Sequence, residues 1–157
     1  MTSAIRAAII EGRRRFHDVP ITANCAFGGF SRAVIGTTRF SGMEMIREEV
    51  TPVWSMAYSG GMETGEVDIE EKAYVFLRKA LVELVDHARL PETPSAKYVK
   101  GRWMYEYRHE PSSSSAYSFG RERVLYRGRY PTFEDAPDSI YKYQAFFIFT
   151  DIVDNRR

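Results

Sequence analysis

Two glutamates sit among residues that belong in a core. Glu44 occurs in Phe40-Ser-Gly42-Met-Glu44-Met-Ile46 and Glu122 in Phe119-Gly120-Arg-Glu122-Arg-Val124. A glycine, a spacer, a glutamate, a spacer and an aliphatic residue recur in both. Successive side chains of a strand alternate between faces, which sets Glu44 beside Phe40 and Ile46, and Glu122 beside Val124 and Tyr126. A carboxylate on an apolar face is costly unless it is paired or hydrogen-bonded. Such a setting can make it a general acid or base, or an anchor for a ligand's donor group. The blander alternative is an arginine or a backbone donor across the sheet that satisfies each glutamate and pins the strand.

Aromatic residues accompany both motifs. Trp54, Met56 and Tyr58 share one face of a strand, and Trp103 and Tyr105 share one face of another. The indole N–H and the phenol O–H need partners when buried, so Trp54 and Tyr58 can wall a pocket as readily as fill a core. The site expected on these grounds joins Glu44, Trp54, Tyr58, Trp103, Tyr105 and Glu122, with at least one glutamate bordering a solvent-reachable pocket. No metal is implied, because His17, His87, His109 and the single Cys25 stand at no ligand spacing. No cofactor is implied either, since neither Gly28-Gly29 nor Gly60-Gly61 precedes a helix in a phosphate-cradling order. Those glycine pairs read instead as a hairpin or bulge and as the end of a meander.

The elements that must position these residues follow from periodicity. Ile5, Ala8, Ile9, Gly12 and Phe16 recur at helical spacing behind Thr2 and Ser3, which predicts a short opening helix. Strands are expected near 30–38, 40–50 and 52–59. A long helix is expected at about 68–89, where Asp68 and Glu71 resemble a capping box, Ala73, Leu77, Ala80, Leu81, Leu84 and Ala88 form a stripe, and Pro91 stops it. Alternation returns in 97–109, 116–127 and 140–152, with Ser112 to Ser115 as a loop. Pairing Trp54, Met56 and Tyr58 with Tyr143, Ala145 and Phe147 extends the glutamate match. It suggests an internal duplication of 27–61 and 97–152, linked by the helix at 68–89, with Tyr130 to Ser139 inserted in the second copy.

With 157 residues, the chain suits one domain. The expected fold class is α+β: two related β units in a curved, mostly antiparallel sheet, the long helix packed on it and a short N-terminal helix beside it. A net charge of +1 supplies no global attraction to nucleic acid or an anionic membrane. Residues 97–130 hold eight Lys or Arg against three Glu, interleaved with rings. Rings and charges fall on opposite faces there, which disfavours polynucleotide stacking. No apolar run approaches the roughly 20 residues that cross a bilayer, so no membrane role is expected and the cytoplasm is the expected location. Aromatic residues are 14% of the chain, more than a core of this size needs.

A family resemblance rests on the first strand block. Gly36, Phe40-Ser-Gly42-Met-Glu44 and Pro52-Val53-Trp54-Ser55-Met56-Ala57-Tyr58-Ser59-Gly60 are similar to the pattern of a bacterial domain family of unknown function, DUF5680, found alone or behind helix-turn-helix segments. Weaker similarity runs through Phe76 to Leu81, Gly101-x-Trp-x-Tyr105 and the second glutamate motif, so it spans roughly 30–150. This chain departs from the pattern at Phe30, Arg32 and Val34, where the family has Tyr, Asp and Tyr. The resemblance implies a fold and no activity. The expected function is a small-molecule-binding, sensor-like domain. Two alternatives are a small enzyme using Glu44 or Glu122 as general acid or base, and a protein-interaction module, for which the surplus of rings would suit a homodimer.

Overall fold

The computed structural model describes residues 1–16, 25–27, 29–36, 38–62, 67–110, 117–136 and 141–151. The chain opens with α1 (Ser3–Phe16), whose first turn is capped by Thr2, its hydroxyl accepting from the Ile5 amide. Four strands follow: β1 (Cys25–Phe27), β2 (Phe30–Gly36), β3 (Arg39–Glu48) and β4 (Thr51–Met62). Then come α2 (Val67–Glu83) and four more strands: β5 (Ser95–Lys100), β6 (Trp103–Glu110), β7 (Tyr117–Tyr126) and β8 (Tyr141–Asp151). The architecture is α+β.

All eight strands join one antiparallel sheet in the order β1-β2-β3-β4-β8-β7-β6-β5. Each half is a helix followed by a four-stranded meander, and the last strands of the two meanders pair at the centre. Glu44 and Glu122 lie on the third strand of their respective meanders. Gly42 faces Tyr58 across β3 and β4, Gly120 faces Phe147 across β7 and β8, and Tyr58 faces Phe147 across β4 and β8. A half-turn about that central pair therefore superimposes the two registers. Phe30 and Tyr105 occupy matching positions, as do Trp54 and Tyr143, and Met56 and Ala145.

Both glycines of the Gly-x-Glu motif have the same purpose. A Cβ on Gly42 would lie 2.5 Å from Tyr58 Cζ, and one on Gly120 would lie 2.8 Å from Phe149 Cε2. Their absence lets a neighbouring ring lie flat across the strand.

The core lies on one face of the sheet, under both helices. Phe30, Trp54, Met56, Tyr105, Tyr143, Phe147 and Phe149 are all buried there. Ile9 and Ile10 of α1 pack on it, as do Ala73, Phe76, Leu77 and Ala80 of α2. Met43, Phe119, Phe146 and Ile148 point to the other face and stay exposed.

The structure corrects several expectations. Helix α2 has 17 residues and ends at Glu83, so it is shorter than 68–89. The stripe runs on because Ala88 and Leu90 are buried in the turn beyond the helix. There Ala88 N still donates to Leu84 O, and Arg89 adopts a left-handed φ of 56°. The segment 97–109 is two strands: Gly101, at φ 61°, turns the chain so that Lys100 faces Trp103. Gly60 and Gly61 do not end the meander. They lie inside β4, which runs on to Met62, because β8 and the start of β3 press against them too closely for a Cβ. The expected Ser112 to Ser115 loop lies outside the described residues.

Leu77 is 4% exposed on the face of α2 turned to the sheet. Leu77→Ala is expected to lower unfolding free energy by about 2–5 kcal/mol, read from urea denaturation. An unchanged midpoint would place α2 off the core.

Candidate functional site

Both glutamates are bonded by an arginine, and Glu44 also stands opposite Arg32 in the β2–β3 pairing. Each bonded arginine comes from the end of a helix. Arg89, just beyond α2, donates through Nε to Glu122 Oε2 at 2.9 Å and through Nη2 to Oε1 at 2.5 Å. Tyr105 donates to Oε2 at 2.7 Å and Tyr143 to Oε1 at 2.5 Å. Glu122 thus accepts four hydrogen bonds, two on each oxygen, at 1% exposure. Bidentate, charge-assisted geometry of this kind satisfies a buried carboxylate fully. The left-handed Arg89 backbone turns the side chain inward, and its guanidinium also lies 5.2 Å from the centre of the Phe147 ring.

Glu44 is held differently. Arg13, in the last turn of α1, places Nε and Nη2 each 2.8 Å from Glu44 Oε2. Its remaining donors reach Ala88 O at 3.1 Å, Arg89 O at 3.0 Å and Met56 Sδ at 3.7 Å. Oε1 of Glu44 receives no hydrogen bond among the described residues, although the carboxylate is as buried as Glu122.

Beside Glu44 opens a cavity of about 530 Å³ between the two helices and the sheet. Val34, Phe40, Leu77, Leu81 and Val85 supply apolar wall, and Tyr58, Tyr74 and Tyr143 supply rings. Phe40 stacks on Tyr143 at 5.9 Å and meets Tyr58 edge-on at 6.2 Å. The Tyr58 hydroxyl makes no hydrogen bond among the described residues. Five arginines (13, 14, 32, 78 and 89) and three acids (Glu44, Glu83 and Asp86) also border the space. Arg13 and Arg89 are committed to the glutamates, and Arg14 pairs with Asp86 at 2.9 Å.

Of the residues singled out in the sequence, Glu44 and Tyr58 line the cavity together. Glu122 stands one layer behind, reached through Arg89 and Tyr143. Tyr105 does not line it; its hydroxyl is spent on Glu122. Trp54 is fully buried in the core, and its Nε1 finds no partner among the described residues. Trp103 lies elsewhere on the sheet, 5.9 Å from Phe76 and 4.6 Å from Tyr126, also off the cavity. Sequence reasoning missed Arg13, Arg89, Tyr74 and Tyr143. The only signal was spacing: Arg13 precedes Glu44 by 31 residues and Arg89 precedes Glu122 by 33. Among the described residues no group of His, Cys, Asp and Glu forms a metal cluster.

Burial, reinforced by the charge of Glu122, raises the Tyr105 and Tyr143 hydroxyls well above their usual pKa. Burial and the charge of Glu44 raise Tyr58, against partial opposition from Arg89, Arg32 and Arg13. Burial alone would lower Arg89, but the charge and hydrogen bonds of Glu122 outweigh it and raise its pKa well above normal. The cavity is therefore edged by phenols that keep their protons and, at Arg89, by a guanidinium that keeps its charge.

A family model, Domain of unknown function (DUF5680), matches residues 33–133, and the chain belongs to that family. No curated protein and no solved structure matches it. The match runs from within β2 past the end of β7, and so includes both glutamates.

Two predictions follow from the unequal bonding. Glu122→Gln leaves buried Arg89 without its counter-charge and is expected to cost about 3–5 kcal/mol. Glu44→Gln leaves Arg13 its carbonyl acceptors and is expected to cost about 1–3 kcal/mol. Chemical denaturation checks the order, and a reversed ranking would contradict it. Tyrosines whose folded pKa is raised above the unfolded value near 10 stabilise fully below that value and lose the contribution as pH climbs. Thermal midpoints are expected to stay level from pH 7 to about 9.5 and then to fall steeply.

Proposed function

We propose that this DUF5680 member is a small-molecule-binding domain of the sensor type, with its site in the cavity beside Glu44. One observation supports this above the others: a carboxylate buried to about the level of the core has one oxygen that no described residue bonds, and it borders a cavity of about 530 Å³. Purely structural carboxylates end up saturated, as Glu122 is. The volume falls within the range of sites for drug-sized ligands, about 300–1,000 Å³, and mostly apolar walls with few polar groups are the usual composition of such sites. Tyr58 completes the polar side, offering a hydroxyl that can donate or accept.

The matched registers support a second proposal, that the two halves arose by internal duplication. Each half would have inherited a helix-end arginine and a strand glutamate, the first half keeping the glutamate open to a ligand and the second locking it.

An interaction module is a further reading, favoured by the face of the sheet that no described element covers. Met43, Phe119, Phe146 and Ile148 are each at least 42% exposed there. A single native mass spectrum of the gently purified protein separates the two readings. A co-purifying small molecule, lost in Glu44→Gln, is the expected outcome. Ligand-free protein whose mass doubles with concentration would favour the sheet face instead.

A further inference from the structure

The chain carries, in its second half, a filled version of the site that stands open in its first. Glu122 and Glu44 hold matching register positions, and each takes an arginine from a helix end. At Glu122 the acceptor sites left by Arg89 are taken by two uncharged phenol hydroxyls, from Tyr105 and Tyr143. The residues matching those tyrosines around Glu44 are Phe30 and Trp54. Phe30 has no hydroxyl, and its ring is pressed against α1 so closely that a Cβ on Gly12 would lie 2.3 Å from it. Trp54 has an N–H, but this donor is buried without a partner among the described residues. What Glu44 lacks, relative to Glu122, is a neutral hydroxyl donor carried on an aromatic ring.

Resting on the cavity reading above, we infer that the ligand is an uncharged hydroxyarene whose phenol-type hydroxyl donates to Glu44 Oε1 while its ring lies among Phe40, Tyr58, Tyr74 and Tyr143. The electrostatics select against charged alternatives. Glu44 is already neutralised by Arg13 at 2.8 Å, as Asp86 is by Arg14, so an added cation finds no uncompensated carboxylate there to offset its desolvation. An anionic head beside Glu44 would face a like charge across the shortest contact. A neutral donor avoids both costs and reaches an acceptor that no described residue bonds. Tyr58 can accept a second hydrogen bond from the ligand or donate to it, which fixes the orientation of the ring.

Calorimetric titration with four naphthalene probes tests this: 2-naphthol, 2-methoxynaphthalene, 2-naphthylmethylammonium and 2-naphthoate. The naphthol is expected to bind at least about tenfold tighter than each of the others, the scale of one hydrogen bond to a charged acceptor. In Glu44→Gln its advantage over the methyl ether is expected to shrink to about twofold or less, whereas Tyr58→Phe keeps most of it. Equal binding of naphthol and its ether, or tighter binding of the ammonium or the carboxylate, would overturn the hydroxyarene inference and leave the cavity reading standing. Loss of discrimination in Tyr58→Phe but not in Glu44→Gln would overturn the role given to Glu44. No binding of any probe to folded wild-type protein would count against both. If Glu44→Gln does not fold, the four affinities on wild type and on Tyr58→Phe still decide the matter.

Discussion

Two carboxylates in the middle of an apolar sheet face each require a positive charge. The fold supplies that charge from the ends of its helices. Arg13 comes from the last turn of α1 and Arg89 from the turn just past α2. Removing Glu122 leaves the buried charge of Arg89 uncompensated, which is among the most damaging changes a core can suffer. Helix length, the direction in which each helix ends and the left-handed backbone at Arg89 are tied to this requirement. So is the Gly-x-Glu motif, where the missing Cβ lets Tyr58 or Phe149 lie beside the strand that carries the carboxylate.

Arg13 also joins parts of the molecule that are far apart in the sequence. It bonds Glu44 on β3, and Ala88 and Arg89 in the turn after α2. That turn is bound to α1 a second time by Arg14 to Asp86 and by Arg6 to the Asp86 carbonyl. The carboxylate beside the cavity, the first helix and the turn that presents Arg89 to Glu122 thus form one connected set of charge-assisted hydrogen bonds. A molecule that binds Glu44 Oε1 acts on a group whose other oxygen holds α1 in place.

The two halves share a plan and differ in saturation. Four short hydrogen bonds leave Glu122 nothing to offer a ligand. Phe30 and Trp54, at the positions of Tyr105 and Tyr143, leave Glu44 with an oxygen that no described residue bonds. The apolar space beside it lies where the ends of both helices meet the first half of the sheet.

Local pattern was enough to place much of this. Alternation of period two in 40–46 and 119–124 put both glutamates on the apolar face, and the same alternation set Trp54, Met56 and Tyr58 on one face, which the fold buries. Both helices were legible from their apolar stripes. The end of α2 was not, because Ala88 and Leu90 stay buried in the turn beyond Glu83, and burial is all that a stripe records. The hairpin at Gly101 was hidden for a similar reason, since both of its strands alternate. The sequence by itself determined which residues face inward, because periodicity is a local property of the backbone. Only the tertiary structure decided which donors reach each carboxylate. Arg13 and Arg89 lie more than 30 residues from their glutamates, and the contrast between Phe30 with Trp54 and Tyr105 with Tyr143 becomes visible only when strand pairing brings them to matching positions.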